Sequence, residues 1–270
     1  MQNLQKLIEE SWKTQSFCAP KLKKAVDEII KLLESGKLKI AEKIDRTWQI
    51  NAWVKKAVLI YMKISDAKQI SGGPDQSFWF DKIDQKFKSW SQAEFLQNQI
   101  RAVPGCFVRQ SAFIGKNVVL MPCFINVGAY IGSNTMIDTW STIGSCAHIG
   151  KNCHVSGGVG IGGVLEPITA KPVIIEDDCF IGARSEIAEG VIVSQGSVIG
   201  MGCYIGASTK IVDKSTGKIS YGYVPPYSVV VPGSLKCNEN LSINCALIVK
   251  KVDQKTREKV KINDLLRFEN

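Results

Sequence analysis

Ile131-Gly132-Ser133-Asn134-Thr135-Met136-Ile137-Asp138-Thr139-Trp140-Ser141-Thr142-Ile143-Gly144-Ser145-Cys146-Ala147-His148-Ile149-Gly150 decides how this chain folds. An aliphatic residue returns every six positions, at Ile131, Ile137, Ile143 and Ile149, and glycine follows three of the four. Working outward, the period runs from Ile125 through Val155 and Ile161, then resumes at Ile175, Ile181, Ile187, Val193, Ile199, Ile205 and Ile211. Four places after most of these aliphatics stands a compact residue, among them Thr135, Ser141, Ala147, Cys153, Cys179, Ser185 and Cys203. Such a period belongs neither to an α-helix nor to a two-faced strand. It fits a parallel β-helix, in which each hexad is a short strand plus a turn and about three hexads close one triangular coil. The aliphatic then points inward and the compact residue fills the corner. Phe113 to Ile211 is the stretch organised in this way.

The chain has 270 residues, enough for this core and added elements at either end. No apolar run approaches the roughly eighteen residues that a bilayer requires. The first residues, with Glu9 and Glu10, lack the apolar centre of a signal peptide, so the reading is of a cytoplasmic protein without membrane contact. Nine cysteines are an odd number with no CxxC pair, and Cys153, Cys179 and Cys203 occupy compact inward positions. Packing accounts for them better than disulfide or metal chemistry. A net charge of +9 allows a nucleic-acid partner, but no basic run with interleaved aromatics occurs. The basic cluster from Lys250 and Lys251 through Lys255, Arg257, Lys259 and Lys261 is interrupted by acids. Small polyanions are the better match for such a surface.

Residues 1–100 read as a separate, mainly helical domain. Helical spacing covers 1–35, a short extended piece covers Leu38 to Ile44, and a helix returns from Asn51 to Ile64. Ser71-Gly72-Gly73-Pro74 is a break, Phe78 to Phe87 is an aromatic run expected to pack that domain, and Ala93 to Gln99 is a further short helix. Residues 101–212 form the β-helix, with a register slip near Leu120-Met121-Pro122 and an excursion at 164–172. Such insertions lie outside the stack, often on a binding face. Residues 213–270 hold strands at Tyr221 to Val231 and Ser242 to Lys251 and a short helix at Val260 to Phe268. Together they cap the open end of the coils.

Gly158-Val159-Gly160-Ile161-Gly162-Gly163 matches GxGxxG, but Val164-Leu165-Glu166-Pro167 starts no helix after it, so these are turn glycines and not a dinucleotide site. Asp138 takes the position that glycine usually holds, and Glu186 ends the hexad Gly182-Ala183-Arg184-Ser185. Both should project outward. Taken alone, an outward acid is most often solvated. The hexads resemble those of hexapeptide-repeat acyltransferases, a class that often uses a histidine base, which makes His148 and His154 candidates at outward positions near a corner. Two histidines are too few for the three zinc ligands of the carbonic anhydrases that share this architecture, so no metal is expected.

Longer strings carry a narrower resemblance. Met136-Ile137-Asp138-Thr139-Trp140, Ser156-Gly157-Gly158-Val159-Gly160-Ile161-Gly162-Gly163-Val164-Leu165-Glu166-Pro167 and Ile174-Ile175-Glu176-Asp177-Asp178-Cys179-Phe180-Ile181-Gly182-Ala183-Arg184-Ser185-Glu186 are similar to the tetrahydrodipicolinate N-succinyltransferase family. So are Ala41-Glu42-Lys43-Ile44-Asp45, Trp53-Val54-Lys55-Lys56-Ala57-Val58 and Ile248-Val249-Lys250-Lys251-Val252-Asp253, so the likeness spans nearly the whole chain. It implies a mainly β fold: a left-handed parallel β-helix of hexapeptide repeats with an α-helical N-terminal domain and a small C-terminal cap. It also implies a homotrimer with sites between subunits and a place in lysine and diaminopimelate synthesis. Carried over by position, Asp138 and Glu186 are the active-site acids and Arg101 binds a substrate carboxylate. Gly182, Ala207 and Lys210 lie where coenzyme A would run, with Lys210 near its phosphates. His154 matches a family histidine, and His148 has no such match.

The implied reaction moves a succinyl group from succinyl-CoA, a co-substrate and not a resident cofactor, to the amine of an amino-oxo-dicarboxylate. Asp138 or Glu186 would orient the amine and take its proton, which calls for a carboxylate raised from its usual range. Backbone N–H groups at the glycine turns would meet the charge developing on the thioester oxygen. Two other readings stand beside it: a related acyltransferase using acetyl-CoA or another amine, and a non-enzymatic β-helix scaffold.

Overall fold

The computed structural model describes residues 1–72 and 77–251. The helix expected at Val260 to Phe268, the basic residues Lys255, Arg257, Lys259 and Lys261, and Gly73-Pro74 of the expected break lie outside the described residues.

From Arg101 the hexads become two-residue strands, each paired with the strand one coil before and one coil after. Met136–Ile137 pairs in parallel with Val119–Leu120 on one side and His154–Val155 on the other. Three sheets of six, ten and six strands follow, and they are the faces of a left-handed β-helix. The first face carries Arg101–Ala102, Val119–Leu120, Met136–Ile137, His154–Val155, Phe180–Ile181 and Val198–Ile199. The second carries Phe107–Val108, Phe124–Ile125, Thr142–Ile143, Gly160–Ile161, Glu186–Ile187 and Tyr204–Ile205. The third carries Phe113–Ile114, Tyr130–Ile131, His148–Ile149, Ile174–Ile175, Ile192–Val193 and Tyr223–Val224. The coils thus begin at Arg101, ahead of the periodic stretch that starts at Phe113.

The second residue of nearly every coil strand points inward, and these residues join the compact corner residues in one continuous core. Burying each aliphatic side chain is worth about 1.5–3 kcal/mol. A slip of one residue would turn that side chain to water, so the pattern sets the register. Cys153, Cys179 and Cys203 are members of this core. The turns are equally constrained. Asn117, Asn134, Asn152 and Asp178 sit at φ of 57°, 61°, 54° and 61°, a region that short polar side chains tolerate. Their side chains form a ladder, each asparagine donating to the next residue at 2.9, 3.1 and 3.0 Å. Gly132 answers a different demand, since a Cβ there would sit 2.5 Å from the Gly150 carbonyl carbon.

The register slip is a turn one residue shorter, between Val119–Leu120 and Phe124–Ile125. Beyond Ile211 the structure departs from the sequence reading. Tyr221 to Val231 is not one strand: Tyr223–Val224 extends the third face and Ser228–Lys236 extends the first. The chain turns a corner at Pro225-Pro226-Tyr227, where Tyr227 has a φ of 59°. Ser228–Lys236 then pairs antiparallel with Ser242–Lys251. That hairpin and Ile211–Asp213, which pairs with Ala246 to Ile248, occupy what would be an open edge.

Ahead of the coils lie α1 (Gln2–Thr14), α2 (Pro20–Glu34), the hairpin of β1 (Ala41–Ile44) and β2 (Thr47–Ile50), and α3 (Ala52–Ile64). A second hairpin, β3 (Lys68–Ser71) with β4 (Phe78–Asp81), and α4 (Gln92–Asn98) complete this part. Ile8, Leu22, Val26, Ile29, Val54 and Val58 form its core, but Val127 and Cys146 of the coils belong to the same cluster. The first hundred residues therefore share a core with the β-helix. The aromatic run also behaves differently from expectation. In β4, Phe78 and Phe80 are 59% and 76% exposed while Trp79, on the other side of the strand, packs edge-on against Phe107. Strand alternation puts the two phenylalanines on the outer face. Phe87, Trp90 and Phe95 pack together and against the first coils. No helix among the described residues is long and apolar enough to cross a membrane.

Candidate active site

Asp138 follows Met136–Ile137 at the corner between the first and second faces. Its N–H donates to the Val155 carbonyl in the next coil at 2.9 Å, which fixes its backbone. Its Oδ1 accepts from the Thr139 N–H at 2.6 Å and the Thr139 hydroxyl at 3.1 Å. Its Oδ2 lies 3.7 Å from His154 Nε2. The carboxylate is thus oriented but not consumed by an ion pair with a lysine or arginine among the described residues. Trp140, two residues on, has a φ of 60° and is 70% exposed. A bulky residue in the left-handed region is uncommon and marks a constrained site.

Glu186 starts a strand of the second face and is exposed. It stands two coils beyond Asp138, a rise of about 10 Å at the usual strand spacing. Its side chain folds back over Gly160, the paired residue of the coil between, where any Cβ would overlap the carboxylate. Arg184 in turn lies over Gly158, so the Arg184 and Glu186 side chains occupy the space that Gly158 and Gly160 leave open. Arg101 is half-buried on the first face, two coils before Asp138. One chain therefore spreads the three residues along its axis instead of gathering them around a point.

The two histidines are neither exposed nor at corners. His148 and His154 lie on strand faces and are 7% and 9% exposed. His148 belongs to a stack on the third face. Phe113 stacks on Tyr130 at 4.7 Å, Tyr130 on His148 at 4.5 Å, and Trp48 of β2 meets His148 edge-on at 4.8 Å. Lys43 and the Trp48 indole both donate to Glu176 Oε1 at 2.7 Å. Burial pushes the Glu176 carboxyl up, but these bonds and one from the Gln195 N–H outweigh it and hold the group below its ordinary value. The stack docks the first hairpin on the β-helix, and His148 is part of that joint rather than a base.

Burial, and then Lys39, push the His148 imidazole down to about 3, against a smaller pull from Glu176. Unfolded chains take this proton near the ordinary value of about 6.5, so between the two values the unfolded state binds more protons. Stability therefore falls as pH falls through that window. From pH 6.5 to 5 the loss from this group is expected to be about 2 kcal/mol. His148→Phe keeps a stacked ring and should remove that part of the acid sensitivity, as read from urea unfolding at pH 7 and pH 5. An unchanged pH slope in the variant would show that His148 is not its source.

Of the residues placed along coenzyme A, Gly182 is buried and needed by the stack, since a Cβ would lie 2.5 Å from Gly200 backbone. Ala207 lies at the far side of the second face, and its N–H donates to Glu189 Oε2 at 2.8 Å. A ligand carbonyl at that amide would have to displace Glu189. Lys210 is half-buried beside Ile211–Asp213. Sequence reading passed over Trp140 and Arg184. Their signal was present: both occupy the left-handed turn position that asparagine, aspartate or glycine holds in many other hexads. It also missed Lys55 of α3, which is fully buried and donates to the carbonyls of Pro167, Ile168 and Ala170 at 3.2, 3.1 and 3.0 Å. The excursion at 164–172 does lie outside the stack, and these bonds brace it against α3.

Residues 3–64 match the family model described as Tetrahydrodipicolinate N-succinyltransferase N-terminal. Residues 128–163 match Bacterial transferase hexapeptide (six repeats), and 172–207 match Hexapeptide repeat of succinyl-transferase. The chain is 60% identical over 273 residues to a 2,3,4,5-tetrahydropyridine-2,6-dicarboxylate N-succinyltransferase of Wolbachia sp. subsp. Brugia malayi, covering 99% of both chains. It is 54% identical over 275 residues to the protein of that name from Methylorubrum populi, covering 98% of both. A solved Campylobacter jejuni structure, assigned as a 2,3,4,5-tetrahydropyridine-2-carboxylate N-succinyltransferase, superposes with a TM-score of 0.58. It is 15% identical, covers 83% of this chain and 62% of its own, and supports the fold alone. With most of its residues identical to proteins of one named activity along its whole length, this chain belongs to the tetrahydropyridine-dicarboxylate N-succinyltransferase family.

Proposed function

We propose that the protein transfers the succinyl group of succinyl-CoA to the amine of ring-opened tetrahydrodipicolinate, giving N-succinyl-2-amino-6-oxopimelate and CoA in lysine and diaminopimelate synthesis. The full-length identity to N-succinyltransferases carries this reading. In the site, Asp138 orients the ammonium of the acceptor and takes a proton from it, since only the neutral amine can attack. The new N–C bond forms at the thioester carbon, the C–S bond breaks, and the CoA sulfur leaves and is protonated. The charge that develops on the carbonyl oxygen calls for an N–H donor, and the Gly158 and Gly160 amides are already given to the Thr139 and Ser185 carbonyls. Arg101 offers its planar fork to a substrate carboxylate. Glu186, over Gly160, meets a different part of the long ternary complex from Asp138. Gly182, Ala207 and Lys210 border the path of coenzyme A, Lys210 toward the phosphates.

A homotrimer with sites between subunits suits the surface. Trp140, Met201 and Tyr204 are 70%, 71% and 65% exposed, and with Phe124 they line the second face and its corner, beside both carboxylates. Exposed apolar side chains beside both carboxylates support association. A covalent acyl-cysteine route has little support. Cys153, Cys179 and Cys203 are buried in the core, and burial pushes the Cys203 thiol up to about 11.

The test is a CoA-release assay with tetrahydrodipicolinate, comparing succinyl-CoA with acetyl-CoA, beside Glu186→Ala. Strong preference for succinyl-CoA and an inactive but trimeric variant are the expected results. Preference for acetyl-CoA would keep the acceptor and change the donor. Turnover with neither donor would remove the acceptor assignment and leave only the fold.

A further inference from the structure

The geometry points to His154 as a positioning residue for Asp138, its Nε2–H donating to Oδ2 and so presenting the carboxylate to the acceptor amine. This rests on the reading of Asp138 as the group that meets the amine. The two residues are coupled through the coils. His154 pairs with Met136, and the Asp138 N–H is held by the carbonyl of Val155, the residue after His154. Thr139 occupies Oδ1 twice, so Oδ2 is the oxygen left for another donor. His154 Nε2 is the nitrogen beside it, at 3.7 Å. A closing movement of under about 1 Å makes this an ordinary hydrogen bond.

Two observations show that the arrangement is not ordinary packing. Both His154 nitrogens are buried without a hydrogen-bond partner among the described residues. Leaving such a group unpaired is costly, so an apolar side chain would serve the fold better at this place. The ring is also held edge-on by Phe180, with centroids 5.2 Å apart, which limits the directions its nitrogens can take.

His154 is a poor candidate for the base itself. Its side chain is 11% exposed against 30% for Asp138, so the substrate meets the aspartate first. Burial lowers its pKa, against the opposing pull of the Asp138 carboxylate. The imidazole is then neutral, with one N–H to give, and Oδ2 is the acceptor nearest to it.

The experiment is a double-mutant cycle in the full-length enzyme. His154→Met keeps bulk and removes the donor, while His154→Gln places an N–H near the Nε2 position. His154→Met should lower kcat about tenfold to hundredfold, with KM for both substrates within about twofold. His154→Gln should recover most of that loss. In an Asp138→Ala background His154→Met should cost nothing further, because its effect passes through the aspartate. Equal activity of the Met and Gln variants, or a full additional loss in the Asp138→Ala background, overturns the proposal. Asp138→Ala with parental activity would instead overturn the reading of Asp138, whatever His154 does. If His154→Met does not fold, ¹⁵N-histidine spectra of the parent read the same bond, and with two histidines the signals separate readily. An Nε2–H tautomer that shifts in Asp138→Asn supports the proposal, and an Nδ1–H tautomer overturns it.

Discussion

Asp138→Asn is expected to lower kcat by about 10²- to 10⁴-fold, the range for loss of a general base. Asparagine has the same shape, and its amide oxygen can still accept from the Thr139 N–H and hydroxyl, so the corner should hold. What disappears is the lone pair that takes a proton. Among the described residues of one chain no second carboxylate is placed to substitute, because Glu186 stands two coils away and folds over Gly160. KM for the acceptor should rise as well, because Asp138 also orients its ammonium in the ground state, while KM for succinyl-CoA should change little. Thiol release at saturating substrate, with chain size and circular dichroism of the variant recorded, gives the answer. A variant within tenfold of the parent would mean that Asp138 does not accept the proton.

Lys55→Met is expected to be the most damaging single change to the fold outside the coils, at about 2–4 kcal/mol. An ammonium in a buried position would ordinarily be costly, and burial does push its pKa down. Three backbone carbonyls of the 164–172 excursion surround it and use all its donors. Methionine fills the space but leaves three acceptors facing an apolar group. The segment should then lift to reach water, taking Leu165 away from the core it shares with α3. Urea unfolding reads the global loss, and thermolysin cleavage near Leu165 or Ile168 reads the local one. A variant within about 0.5 kcal/mol of the parent and equally resistant to thermolysin would show that the clamp contributes nothing.

Both predictions concern residues that sequence treats very differently. Asp138 was visible because it breaks a pattern, standing where the hexads place glycine. Trp140 and Arg184 broke the pattern too, at the turn position, and were overlooked because the third residue of a turn carries no hydrophobic signal. Lys55 breaks nothing. It sits beside Lys56 on the same helix, and no local feature distinguishes the buried lysine from its half-exposed neighbour. The aromatic run was misread for a related reason: Phe78 and Phe80 face outward only because β4 pairs with β3, a pairing that composition does not reveal.

The sequence by itself determined the β-helix, its inward aliphatics, its turns and the outward acids. Each coil makes the same short-range demand, so the period records it again and again. Tertiary structure alone decided the rest: that the N-terminal helices share a core with the coils through Cys146 and Val127, that His148 joins an aromatic stack, and that His154 lies beside Asp138 with no hydrogen-bond partner among the described residues. These depend on which residues of adjacent coils stack and on where α3 and β2 dock. Side chains far apart in the chain settle that by burial and by satisfying one another's polar groups, and a local pattern holds no trace of it.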